Sequence, residues 1–234
     1  MLKQLLLPFL LFHAVFSFAQ KKIDITDNDV DVRNFFRIVS GEPISLARYS
    51  KLVEGTPYFN KDWMSATLTM SKGKEYSNIP IKLNLLDNEV HYRDPKGVEM
   101  IAATPMKKIV LTDPVTSENY TFINARFLGG ADTNKDEWYQ LLSEGNVSVV
   151  KQHTKKLYEN TPFNSGVIEQ TITTTPQYFV LNNNQLIQAK KLKDVPDIFP
   201  VKKAELLQYI NDKKLNGKRD EDFVSVINYY NSLK

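Results

Sequence analysis

A period of two constrains this chain more than any other feature. From Trp63 onward it is written in short segments of alternating apolar and polar residues, separated by turn residues. Met64, Ala66, Leu68 and Met70 alternate with Ser65, Thr67 and Thr69, and Ser71-Lys72-Gly73-Lys74 then supplies a turn. Successive side chains on a strand point to opposite faces, so this spacing specifies strands with one buried face, paired antiparallel through short turns. A strand over 79–85, a turn at Asp87-Asn88 and a strand over 89–93 follow, and the strong turn Asp94-Pro95-Lys96-Gly97 sends 98–102 back alongside. Pro80 has no amide hydrogen, which places its strand at an edge or at the point where the strand begins. Further strands are expected at 107–111, 120–123, 138–142, 147–153, 178–181 and 186–189, with a turn at Ser143-Glu144-Gly145-Asn146 and another at Asn182-Asn183-Asn184. About eight to ten strands result. The expected fold class is mainly β with a C-terminal α-hairpin, the antiparallel meander forming a curled sheet, a sandwich or a small barrel.

The period changes in the tail. Pro200 suits a first helical position, Leu206, Leu207 and Ile210 share a face, and Gly217 suits a helix stop. Asp220 is placed to cap a second helix, in which Phe223, Val226, Ile227, Tyr230 and Leu233 form an apolar stripe. Both helices must bury a face, so a hairpin packed on the sheet is expected. Thr-Pro pairs at Thr56, Thr104, Thr161 and Thr175 mark loop starts rather than a duplication. The expected organisation is a signal peptide at 1–19, an N-terminal arm at 20–43 that adds a strand or docks, an antiparallel β-rich domain at 44–195 and the helical hairpin at 196–234.

The export expectation rests on Lys3 followed by the apolar run from Leu5 to Phe12, and on Ser17 and Ala19 flanking Phe18 before Gln20. A spanning helix needs roughly 20 uninterrupted apolar residues, and Pro8, His13 and the polar Gln20-Lys21-Lys22 interrupt this run. No later segment is apolar enough to span, so no transmembrane segment is expected after signal cleavage, and the protein is expected in the periplasm or outside the cell. The chain has no cysteine. That removes a cysteine-linked lipid anchor, disulfides, thiol nucleophiles, thiolate zinc sites and iron–sulfur clusters together. The chain beyond residue 19 is long enough to bury about 70% of its unfolded surface without such staples. Lys and Arg number 30 against 27 Asp and Glu, interspersed in sequence. There is no basic stripe of the nucleic-acid-binding kind, and no nucleic acid partner is expected.

Chemical motifs are incomplete. Asp27, Asp29 and Asp31 imitate the start of a calcium loop, but its sixth and twelfth positions hold Val32 and Ile38; Asp132 to Asp136 fails likewise at Glu137 and Ser143. His91 and His153 are too few for a three-histidine zinc site, and His91 shares a strand face with Glu89 and Arg93. Ser71-Lys72-Gly73-Lys74 and Tyr76-Ser77-Asn78 match fragments of the penicillin-recognising motifs, but sit in one hairpin instead of far apart. Nucleophile-elbow, zincin, P-loop and dinucleotide fingerprints are absent. No catalytic residue, cofactor or metal ligand is therefore assigned. The candidate ligand or partner surface is aromatic: Tyr58, Trp63, Tyr76, Tyr92 and Trp138, set against the ordinary role of strand aromatics as core and cross-strand pairs.

Gly55-Thr56-Pro57-Tyr58-Phe59 with Trp63, then Gly73-Lys74-Glu75-Tyr76-Ser77-Asn78-Ile79-Pro80-Ile81-Lys82-Leu83-Asn84, and the tail around Tyr229-Tyr230-Asn231 carry a resemblance. In these segments the chain resembles uncharacterised exported proteins of the Bacteroidota. The resemblance implies export and a β-rich fold with a helical tail, and it implies no catalytic residue. The expected function is a non-catalytic binding or structural module of the bacterial envelope, whose partner is an envelope protein or a surface polymer. The alternatives are a glycan- or peptidoglycan-acting hydrolase using Asp and Glu, and an assembly factor for the outer membrane.

Overall fold

The computed structural model describes residues 22–24, 30–45, 47–131, 135–163 and 166–233, with side chains from residue 35 onward. The expected signal peptide at 1–19 and the acidic residues Asp27 and Asp29 lie outside the described residues. The chain begins with β1 (Lys22–Asp24), α1 (Val30–Val39), β2 (Gly41–Pro43) and β3 (Leu52–Glu54). A meander follows: β4 (Met64–Met70), β5 (Glu75–Asn84), β6 (Glu89–Arg93), β7 (Glu99–Ala102), β8 (Met106–Thr112), β9 (Asn119–Asn124) and β10 (Trp138–Ser143). Two long strands, β11 (Val147–Asn160) and β12 (Glu169–Asn182), precede β13 (Gln185–Ala189). The tail holds α2 (Val195–Ile198), α3 (Lys203–Asp212) and α4 (Asp220–Ser232).

All strands among the described residues belong to one sheet, whose main path is ordered β13-β12-β11-β10-β9-β8-β4-β5-β6-β7-β2. Two short strands join it in parallel, β1 on β5 and β3 on β12, so the sheet is not purely antiparallel. Among the described residues no pairing joins β2 to β13. The sheet is curled and open, and the barrel alternative is excluded.

Strand alternation sorts side chains into separate cores. Leu68, Tyr76, Ile79, Ile81, Ile109 and Phe122 are buried together, with Phe35 and Val39 of α1 seated among them at 0% exposure. The N-terminal segment thus supplies part of the main core as well as the strand β2. On β11, Val149 faces the tail helices with Leu206, Phe223, Val226 and Ile227, whereas Val150 packs on the opposite side with Tyr139 and Leu128. Three stacked pairs tie the tail down: Tyr178–Phe223, Phe199–Tyr230 and Tyr209–Tyr229, with centroids 3.9, 3.8 and 4.1 Å apart. Asn231 closes the end of the sheet. Its Nδ2 donates to the Val147 carbonyl at 2.8 Å and its Oδ1 accepts from the Val147 amide at 3.0 Å, as a neighbouring strand would.

Several expectations need correction. Pro80 lies within β5, between β4 and β6, and not at an edge. It is tolerated because β1 pairs only as far as Ser77 and β6 pairs only from Ile81, while Asn78, at φ +59°, sits in a register shift against β4. Asp220 does not cap α4. Arg219 stands at the cap, and the Asp220 carboxylate is turned to Lys151 and Tyr178. The turn at Asn182-Asn183-Asn184 forms as expected, with Asn183 and Asn184 at φ +49° and +58°. No helix among the described residues is long and apolar enough to cross a membrane.

Candidate functional site

Register sets the chemistry of the β5–β6 outer face. Lys82 pairs with His91 and Asn84 with Glu89, so these four side chains share a face with Arg93, while Ile81 and Tyr92 point into the core. The connection between β3 and β4 crosses this polar face. The Phe59 amide donates to the Leu83 carbonyl at 2.8 Å, the Leu85 amide donates to Pro57 at 2.9 Å, and Tyr58 bridges to Asn84.

Beneath that loop is a dense polar cluster. Arg48 grips both oxygens of Glu89, the Nη2 bond being 3.0 Å, and its Nε lies 3.8 Å from Asp87. The Tyr49 hydroxyl donates to Asp87, and Asn84 Nδ2 donates to Tyr49 and to Asp87 at 3.0 Å each. His91 is fully buried, with Nε2 2.9 Å from Glu89 and the Tyr58 ring edge-on at 5.4 Å. Burial pushes the His91 pKa down despite the pull of Glu89, so the ring is neutral at pH 7. Glu89 accepts, so the proton sits on Nε2, and Nδ1 has no partner among the described residues. Burial also pushes up the Tyr49 and Tyr58 hydroxyls. Asp87 and Glu89 are thus held by Arg48, Tyr49 and Asn84, an arrangement that fixes the segment before β3 against the β5–β6 hairpin.

Above the cluster lies a cationic and aromatic ledge. The Lys82 ammonium is 5.1 Å from the ring centres of both Tyr58 and Trp63, and the Arg93 guanidinium lies 4.4 Å over Trp63 while bonding Glu99 at 3.1 Å. Of the five aromatic residues expected on one surface, the structure brings together Tyr58 and Trp63, both half-buried. Tyr76, Tyr92 and Trp138 do not join them. They are 0%, 3% and 3% exposed, because their strand register faces the core, where Tyr76 packs 4.9 Å from Phe35. Trp138 lines a cleft of about 190 Å³ with Asn88, Thr104, Asn124 and Asp136, and its Nε1 has no partner among the described residues.

A second polar node joins the sheet to α4, and local spacing gave no sign of it, since Lys151 and Asp220 are 69 residues apart. Asp220 accepts from Lys151 at 2.5 Å and from the Tyr178 hydroxyl at 2.7 Å. It borders a cleft of about 430 Å³ with Glu118 and Glu221, where Glu118 accepts from Tyr120 at 2.8 Å. Nearby, His153 Nε2 lies 2.7 Å from Gln140 Oε1. Burial, aided by the charge of Lys151, lowers the His153 pKa from 6.5 to about 4.

A folded pKa below the unfolded one means that the unfolded chain binds protons first as pH falls. The stabilisation from neutral His153 is complete above pH 6.5 and is lost on descending toward 4. Lowering pH from 7 to 4.5 is expected to cost about 2 kcal/mol through this group, with buried His91 adding in the same sense. Urea unfolding at the two pH values measures this loss, and His153→Gln should reduce it while leaving His91's share.

Among the described residues no three His, Asp or Glu side chains converge as metal ligands. Asp136, from the second calcium-like run, is paired with Arg126 at 2.7 Å. Compared with known proteins, the chain matches no family model, no curated protein and no solved structure.

Proposed function

We propose that this chain is an exported, non-catalytic binding module of the bacterial envelope, which engages a surface polymer through the Tyr58–Trp63–Lys82–Arg93 ledge. The observation that carries the reading is the stacking of two cations on two half-buried aromatic rings, held over a network whose own carboxylates are already engaged. A ring face covered by a guanidinium offers a planar donor fork and an apolar edge together, which suits polymers that carry both carboxylates or phosphates and sugar rings. A hydrolase needs one carboxyl group free to give a proton and another free to act as base or nucleophile. At the ledge, Asp87, Glu89 and Glu99 each bond a cation or a hydroxyl, which supports the binding reading for that face.

Co-sedimentation of the purified chain with isolated peptidoglycan sacculi tests this. Trp63→Ala combined with Arg93→Ala is expected to weaken binding at least tenfold while leaving the melting temperature within a few degrees. Equal binding by the variant, or release of soluble fragments that stops on substituting one Asp or Glu, overturns the proposal in favour of another surface or of the hydrolase.

A further inference from the structure

Where β13 leaves the sheet, the chain and the α3–α4 connection enclose a concavity of about 400 Å³ remote in sequence from the ledge. Its floor is apolar, made by Leu192, Ile210 and Phe223, which are under 9% exposed, together with Leu215 and Tyr178. Its rim is cationic. Lys190, Lys191 and Lys193 are exposed, line the opening, and form no ion pair among the described residues. The opposite lip, Asn216 and Gly217, is flanked in sequence by Lys213, Lys214, Lys218 and Arg219.

The acidic groups nearby are spoken for. Burial works to raise the Asp222 carboxyl, yet the amides of Gly217 and Asn216 and the guanidinium of Arg219 outweigh it and hold the group ionised and neutralised within its own loop. Asp194 accepts from the Lys191 amide at 2.9 Å, and Asp220 is bonded to Lys151 and Tyr178. Three ammonium groups with no ion-pair partner among the described residues therefore face one opening, against the single negative charge that Asp194 keeps, over a floor that a hydrated ion cannot use.

A cationic rim rejects cations, and an apolar floor gives a bare anion nothing to bury. The volume falls within the range of roughly 300–1,000 Å³ common to small-molecule sites. From these we infer that the pocket binds a single-chain amphiphilic anion, an alkyl carboxylate or alkyl phosphate taken from solution, with its chain on Leu192, Ile210 and Phe223 and its head among Lys190, Lys191 and Lys193. The head-group contacts are exposed, so the affinity falls with added salt.

Titration calorimetry of the purified chain with decanoate, decyl phosphate, decanol and inorganic phosphate tests the inference. Decanoate or decyl phosphate is expected to bind one to one, with decanol and inorganic phosphate at least tenfold weaker. The triple variant Lys190→Gln, Lys191→Gln, Lys193→Gln is expected to lose at least tenfold for the anions, with no change for decanol and none in melting temperature, because the three side chains are exposed. Equal affinity for decanol and decanoate, an unaffected triple variant, or several molecules bound per chain overturns it. These results are independent of polymer binding at the ledge, since none of the three lysines belongs to it.

Discussion

Replacing Phe35 by alanine is expected to lower the free energy of unfolding by about 3–5 kcal/mol. Phe35 is the residue by which α1 enters the sheet. It is 0% exposed, with its ring 4.9 Å from Tyr76, 5.0 Å from Phe36 and 6.3 Å from Tyr92. Truncation removes the transfer free energy of a benzyl group and leaves a void bounded by strand side chains, which the sheet ladders hold apart. Phe35→Leu keeps most of the volume and is expected to cost less than half as much. Urea unfolding of the three proteins decides the matter, and a loss below about 1 kcal/mol for the alanine variant would show that α1 is not seated in the core as described.

The seat of α1 was illegible for a reason that lies in its neighbours. Phe35 and Val39 have helical spacing, but they follow an acidic stretch in which Ile23, Asp24 and Ile25 alternate with period two, and a short segment offers each period too few residues to decide. The meander from β4 to β10 was legible because strands such as β4 and β8 bury one face and the alternation survives in the sequence, while turn residues mark the ends of the others. The distal halves of β11 and β12 were not. Apart from the Leu157–Ile172 pair, Lys155, Lys156, Thr171, Thr173, Thr174 and Thr175 make these halves polar on both faces, and one apolar pair is too little alternation to announce a strand.

Parity explains how much of the candidate surface could be read. Glu89, His91 and Arg93 were recognisably on one face of β6, and that placement already puts Tyr92 on the other. Tyr58 and Trp63 lie outside the regular strands, where alternation says nothing, and only the crossing of their loop over β5 and β6 brings them to Lys82 and Arg93. The Lys151–Asp220–Tyr178 node depends on how the tail packs, which no local pattern encodes.

Gly55→Ala is expected to destabilise the protein by about 3 kcal/mol or more, and to loosen the ledge as it does so. Gly55 has φ +84°, and a Cβ there would lie 2.1 Å from the carbonyl oxygen of Ile172 and 3.0 Å from its carbon. Both are backbone atoms of β12, beside the parallel pairing with β3, so relief requires the two strands to separate. Gly97 separates this contact from the backbone preference. Its φ is +82°, and an added Cβ meets nothing within 4 Å, so Gly97→Ala carries the dihedral penalty alone, about 1 kcal/mol. The difference between the two variants in urea unfolding therefore measures the approach of Gly55 to Ile172. Equal losses would mean that β3 does not lie against β12. The same glycine opens the loop that lays Tyr58 over His91, so a displaced β3 should also expose His91, raise its pKa toward the ordinary range and change the ring environment of Trp63. A glycine set by steric necessity at one end of the sheet thus governs the only two aromatic residues, of the five expected, that reach the proposed binding surface.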